Sequence, residues 1–166
     1  MFPWSQFTAD AALYVVAFTV LIGGSILWKP RLWLHDFPAD IQALAAPKTE
    51  AEKRQTRWLA LAILPVMFVL PVVLGRNARA AAGADFGFWM AWLYGFGLFF
   101  LMNLWDLLVM DFIGLSLIDP QHPPFLGTEG AAGWRNYRFH FYGFLKGTVM
   151  GLVFATGFAA LVMVLP

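Results

Sequence analysis

An amide and two carboxylates interrupt one of the most apolar stretches of this sequence. Asn103, Asp106 and Asp111 lie in the run 99–111, whose other residues are all apolar. On a regular helix the three side chains would occupy an arc of about 140°, with Asn103 in its middle. An ionised aspartate in hydrocarbon is costly unless it is paired or faces water. The run therefore predicts a site at which these groups are paired or are used by a ligand or a proton.

A second set of polar residues opens the last apolar run of the chain. Arg135, Arg138, His140 and Lys146 lie there, and His140 can change its charge near neutral pH. If the two runs are antiparallel spans, Lys146 and Asp106 reach similar depths. They could then form an ion pair, or they could serve a ligand, and the sequence leaves both interpretations open. The candidate ligand-binding or proton site comprises Asn103, Asp106, Asp111, Arg135, Arg138, His140 and Lys146.

Metal binding and covalent catalysis have weaker signals. Carboxylate and imidazole groups suit several divalent ions, so Asp106, Asp111 and His140 are weak metal candidates, but their spacing matches no established motif. The chain has no cysteine, which excludes disulfides and thiolate-bound metals. It also lacks the Gly-x-Ser-x-Gly nucleophile elbow. The sequence therefore identifies neither catalytic residues nor a cofactor, and it leaves open whether the protein is an enzyme.

The composition is that of an integral membrane protein. Of the 166 residues, 60% are hydrophobic and only 13% are charged, against about 25% charged residues in an average soluble domain. The formal net charge of +1 leaves no basic face for a nucleic acid. The length fits a single domain over 1–166, with the lipid bilayer as its principal partner.

Four apolar runs predict an all-α domain with four transmembrane helices. Each run is about long enough to cross the ~30 Å core of a bilayer, and the predicted spans are 9–28, 58–74, 86–113 and 139–165. Thr8 or Asp10 is expected to cap the first helix. Thr49 and Glu52 have capping-box spacing, which predicts that the second helix begins before its membrane span.

Prolines mark two further features. Pro38 can occupy the first position of a short interfacial helix in the first loop, over about 38–44. Pro65 and Pro71 lie inside the second span, and each removes one backbone hydrogen bond. We therefore expect a disturbed second span, either as a simple fit of shape or as a hinge beside a cavity.

Small residues recur at every fourth position of the last span, at Gly143, Gly147, Gly151, Ala155 and Ala159. This pattern lets two membrane helices approach closely. It predicts tight packing in the bundle, and Gly143, Gly147 and Gly151 are also candidates for the interface of a homo-oligomer or a larger complex.

Lysine and arginine are concentrated in the first and third loops, whereas the second loop carries only Arg76 and Arg79. Since cytoplasmic loops are enriched in these residues, this asymmetry predicts that both termini lie outside the cytoplasm.

Several segments resemble an uncharacterised group of small bacterial four-span inner-membrane proteins. The resemblance rests on residues 33–42 (WLHDFPADIQ), on 103–108 (NLWDLL) with Asp111, on 127–130 (GTEG) and on 139–145 (FHFYGFL). It implies a four-span topology in a bacterial inner membrane and no particular chemistry.

Three functions fit these observations. The first is binding or transport of a small amphipathic or ionic ligand at a polar cluster in the cytoplasmic leaflet. The second is a membrane enzyme that acts on a lipid or isoprenoid head group, with or without a divalent metal. The third is an accessory subunit of a larger membrane complex. A bound ligand, a bound metal and a stoichiometric partner would distinguish them.

Overall fold

The fold is a bundle of four long helices with two long loops at one end. The computed structural model describes residues 1–165, except the side chain of Ala84, and no strand occurs among them. The helices are α1 (Trp4–Trp28), α2 (Ala39–Leu44), α3 (Glu50–Ala82), α4 (Phe88–Leu117) and α5 (Tyr137–Val164). All except α2 are long and apolar enough to cross a membrane. The predicted all-α, four-span architecture is confirmed.

The ends of the helices differ from the predicted spans because several helices continue past the apolar run. The capping box at the start of α3 is confirmed, since Glu52 N donates to Thr49 Oγ1 at 3.2 Å and Thr49 N donates to Glu52 Oε2 at 2.8 Å. The predicted cap of α1 is wrong. That helix already begins at Trp4, after Pro3, with no side-chain cap, and Asp10 lies inside it.

Both α3 and α4 contain a widened turn. In α3 the turn spans Pro65–Val69, so the disturbance expected in this span begins at the first proline. The buried Tyr14 of α1 donates its hydroxyl to the carbonyl of Met67, with a distance of 3.3 Å. In α4 the widened turn spans Asp106–Ile113. Such π turns follow an i→i+5 pattern and are frequent at functional sites.

Tight packing by the small residues of α5 occurs within the chain, against α4. A Cβ atom added at Gly147 would lie 2.7 Å from Asn103 Oδ1, and one at Gly151 would lie 2.8 Å from Phe99 Cδ1. Asn103 also joins the helices through Nδ2, which donates to the carbonyl of Phe144 at 3.0 Å. Gly143 differs, because a Cβ atom there would meet nothing within 4 Å.

The two long loops pack on each other and form what we call the loop end of the bundle. Gly133 N donates to Asp40 Oδ2 at 2.8 Å, and Ile41 and Trp134 are fully buried in a small apolar cluster. Helix α2 belongs to this packed layer, and its position at a membrane interface stays a prediction. Arg135 fixes the layer to α4 by donating to the carbonyls of Leu115 and Ile118.

Candidate functional site

A large cavity lies at the loop end, between α1, α3, α4 and α5. Its volume is about 1360 Å³, larger than the roughly 300–1,000 Å³ of a typical small-molecule site. We call it the loop-end cavity. Its apolar walls come mainly from aliphatic, aromatic and methionine side chains, including Phe18, Ile22, Ile26, Ile63, Met67, Phe99, Met102, Leu107 and Met110.

The polar wall of the cavity is acidic. It contains four aspartates and, in the part of the chain that the structure describes, one lysine and no arginine. Three histidines complete it. These polar residues are Asp36, Asp106, Asp111, Asp119, Lys146, His35, His122 and His140. The combination of a polar wall and an apolar interior suits a molecule with a polar group and an apolar body.

His140 and Asp111 are in hydrogen-bonding contact on this wall. His140 Nδ1 lies 2.9 Å from Asp111 Oδ1, and only 9% of the histidine side chain is exposed. Because an ionised carboxylate only accepts hydrogen bonds, the contact assigns a hydrogen to Nδ1. When the ring is neutral, Nε2 is then an acceptor. It is buried and has no hydrogen-bond partner, a situation that costs about 1–3 kcal/mol.

The widened turn of α4 explains how Asp106 and Asp111 reach the same cavity. In a regular α-helix, residues five positions apart point about 140° from each other. The i→i+5 pattern of a π turn brings such residues much closer to one face. Asp106 is the first residue of this turn and Asp111 lies two residues before its end, and both line the cavity.

The ion pair considered between Asp106 and Lys146 is not formed. Lys146 Nζ lies more than 4.0 Å from both carboxylate oxygens of Asp106, both side chains being described in the structure, and Lys146 is exposed. Asp111 has His140 as its partner instead. A regular-helix count could not anticipate this exchange, because it depends on the widened turn.

The remaining predicted site residues have other positions. Asn103 lines the cavity, but its amide also connects α4 to α5. Arg135 lies outside the cavity and occupies the carbonyls at the end of α4. Arg138 does not itself line the cavity, but its Nη2 donates at 3.0 Å to the hydroxyl of Tyr142, which does.

Asp36 is a site residue that the sequence reasoning missed. Its Oδ2 lies 3.4 Å from His35 Nε2, and 53% of its side chain is exposed at the cavity mouth. Partial removal from solvent nevertheless raises the pKa of Asp36, while the positive charge of His35 and Lys48 opposes that rise and Asp111 adds to it. Desolvation likewise lowers the pKa of Lys48, which contacts His35. In the sequence, the adjacent His35 and Asp36 could have indicated this site residue, because they lie in segment 33–42, on which the resemblance rests.

Asp10 is a second missed residue, at the opposite end of the bundle. Only 5% of this residue is exposed. Its carboxylate accepts hydrogen bonds from the Tyr94 hydroxyl at 2.5 Å and from Gln6 Nε2 at 2.8 Å. The signal was an aspartate embedded in an apolar helix, which we interpreted as a cap because the predicted helix began too late.

The metal candidates do not assemble into a metal site. Among the described residues, no group of three or more histidine, cysteine, aspartate or glutamate side chains is placed to hold a metal ion. Comparison of the chain with protein-family models, curated proteins and solved structures found no match.

Proposed function

We propose that this protein binds a small amphipathic molecule in the loop-end cavity. The observation that carries the proposal is His140, a buried side chain on the cavity wall whose Nε2 has no partner within the protein. Because Nε2 itself is buried, the His140 ring would have to turn toward the cavity for a polar group of a ligand at the acidic wall to supply this partner. Its apolar body would occupy the interior between Phe18 and Met110.

The nature of the walls supports a flexible apolar body. Met67, Met102 and Met110 contribute to them, and methionine is unbranched and adapts to ligands of different shape. Phe99 and Phe18 add aromatic surface. Binding is the property that this geometry supports, and a transport function would use the same cavity as its binding site.

We also propose a bacterial inner membrane as the location, with the loop end facing the cytoplasm. This rests on the resemblance and on the lysine and arginine asymmetry of the loops. Reporter fusions after Pro47 and Gly130 should then indicate cytoplasm, and fusions after Ala82 and at the C-terminus should indicate the outside. A cytoplasmic signal from the C-terminal fusion would contradict this orientation.

Photolabelling with a decanol analogue that carries a diazirine on its chain tests the binding proposal. In the wild-type protein in nanodiscs, we expect labelled peptides around Met67 and Met102–Met110, and excess decanol should suppress this labelling. Met110→Trp should reduce it by filling the cavity. Leu93→Trp is the matched control, because Leu93 is 54% exposed on the same helix and lies outside the cavity.

Uniform labelling of the exposed apolar faces, without suppression by decanol, would refute the proposal. The competition uses the wild-type protein, so this result would hold even if the Met110 variant failed to fold.

A further inference from the structure

The charge of the cavity wall restricts the kind of ligand that it can hold. Four aspartates and one lysine give the wall a formal charge of −3 when the aspartates are ionised and the histidines are neutral. Lys146 is exposed and takes part in no ion pair within the described chain. A carboxylate or phosphate group would be repelled by this wall, whereas a cation would be attracted.

The aspartates differ in how far the protein already satisfies them. Asp111 contacts His140, and Asp119 contacts His122 Nδ1 at 2.8 Å. Asp36 contacts His35. Asp106 has neither a hydrogen bond nor an ion pair in the part of the chain that the structure describes, although it lies in the apolar helix α4. This carboxylate is therefore the one on the wall that a positive group could pair with without displacing a partner.

The histidine gives a second, independent restriction. When the ring is neutral and carries its hydrogen on Nδ1 for Asp111, the unpartnered Nε2 of His140 is an acceptor, and a donor would satisfy it. An ammonium group has only N–H donors and no acceptor. An aromatic ring on the same wall, that of Trp33, can also contact a cation favourably.

We infer that the ligand is an amphipathic cation, namely an amine with an apolar chain, whose ammonium group lies at Asp106 and the Asp111–His140 pair. This inference rests on the proposed function, because it specifies the ligand of the same cavity. The charge of the wall and the acceptor on His140 lead to it separately, and the apolar interior accounts for the chain.

Three probes with the same ten-carbon chain test whether the cavity prefers a cation. The experiment uses the wild-type protein in nanodiscs of uncharged lipid. Decylammonium, decanol and decanoate compete with the photoreactive decanol analogue, and their free concentrations are measured to correct for partition into lipid. We expect decylammonium to compete at a concentration about tenfold or more below that of decanol, as hydrogen bonds to charged groups allow. Decanoate should compete least well.

The outcomes separate the two proposals. Equal competition by the three probes, or strongest competition by decanoate, would overturn the cation inference and leave cavity binding intact. Failure of all three would overturn both. Decyltrimethylammonium, which has no N–H donor, should bind about tenfold more weakly than decylammonium, and equal binding would refute the role of Nε2.

A variant without the charge of Asp106 tests whether this carboxylate causes the preference for decylammonium over decanol. Asp106→Asn should reduce the preference for decylammonium over decanol about tenfold. Asp85→Asn is the matched control, since Asp85 is exposed in the turn between α3 and α4, away from the loop end, and it should leave the preference unchanged. An equal loss of preference in both variants would overturn the assignment to Asp106.

Discussion

Replacing Gly147 by alanine probes the contact between α4 and α5 that positions the acidic wall. The added Cβ atom would lie 2.7 Å from Asn103 Oδ1 and 3.1 Å from Asn103 Nδ2, closer than atoms pack without rearrangement. Asn103 would have to move, and its hydrogen bonds to the Phe144 carbonyl and to Thr148 Oγ1 would be strained or lost.

Opposing contributions determine the size of the effect. Alanine is favoured over glycine in a helix interior by about 1 kcal/mol. Against this, overpacking costs about 1–3 kcal/mol, and each lost hydrogen bond costs about 0.5–1.5 kcal/mol. We expect Gly147→Ala to lower the free energy of unfolding by about 1–3 kcal/mol. The corresponding fall in melting temperature is roughly 2–12 °C for a chain of this size.

Thermal unfolding in detergent, followed by circular dichroism, measures the effect against two references. Gly157→Ala on the same helix is the control, because a Cβ atom there meets nothing within 4 Å. It should be neutral or slightly stabilising. In an Asn103→Ala background the close contact is absent, so Gly147→Ala should no longer destabilise. The reasoning is refuted if Gly147→Ala melts at or above Gly157→Ala.

Three further predictions concern charged side chains, and each is checked by thermal unfolding. Because the pKa of Asp36 is raised in the folded protein, its ionisation opposes folding at neutral pH and has no effect when both states are protonated. Asp36→Asn should therefore raise the melting temperature at pH 7, and the gain should vanish as the pH falls toward the ordinary pKa of 3.8; a gain independent of pH would contradict this cause. Arg135→Ala should destabilise the protein by about 1–3 kcal/mol, because its hydrogen bonds to the carbonyls at the end of α4 are lost. Arg138→Ala, on the surface, should change stability by less than about 0.5 kcal/mol. Equal effects of the two variants would count against the role of Arg135 in capping α4. Asp106→Asn and Lys146→Met should have additive effects within about 0.5 kcal/mol, and rescue of one by the other would show an ion pair.

Much of the fold could be predicted from the sequence because membrane spans have strong local signals. Long apolar runs identified all four helices, and the Thr49–Glu52 spacing placed the start of α3. The start of α1 was wrong because Asp10 resembles a cap when its distant partner Tyr94 is unknown. Such a contact joins residues far apart in the chain, and no local pattern reports it.

The candidate site could be predicted only in part, for a geometric reason. Asp106, Asp111 and His140 were identified as polar residues in apolar surroundings, and all three line the cavity. Their pairing could not be found, because angles counted on a regular helix fail across the widened turn. Asp36 was overlooked because the fold of the first loop, rather than the sequence around it, brings it to the cavity mouth.

The two widened turns also affect the mechanical stiffness of the cavity. One lies in α3 and the other in α4, and they contribute Met67 and Met110 to the apolar wall. At the loop end of the bundle, the capping box at Thr49 anchors the start of α3, and Arg135 anchors the end of α4. A helix bends most easily where its regular hydrogen-bond ladder is interrupted. The walls are therefore most compliant at these two turns, so a bulkier ligand would displace Met67 on α3 and the Asp106–Asp111 segment on α4 rather than the anchored ends of the helices.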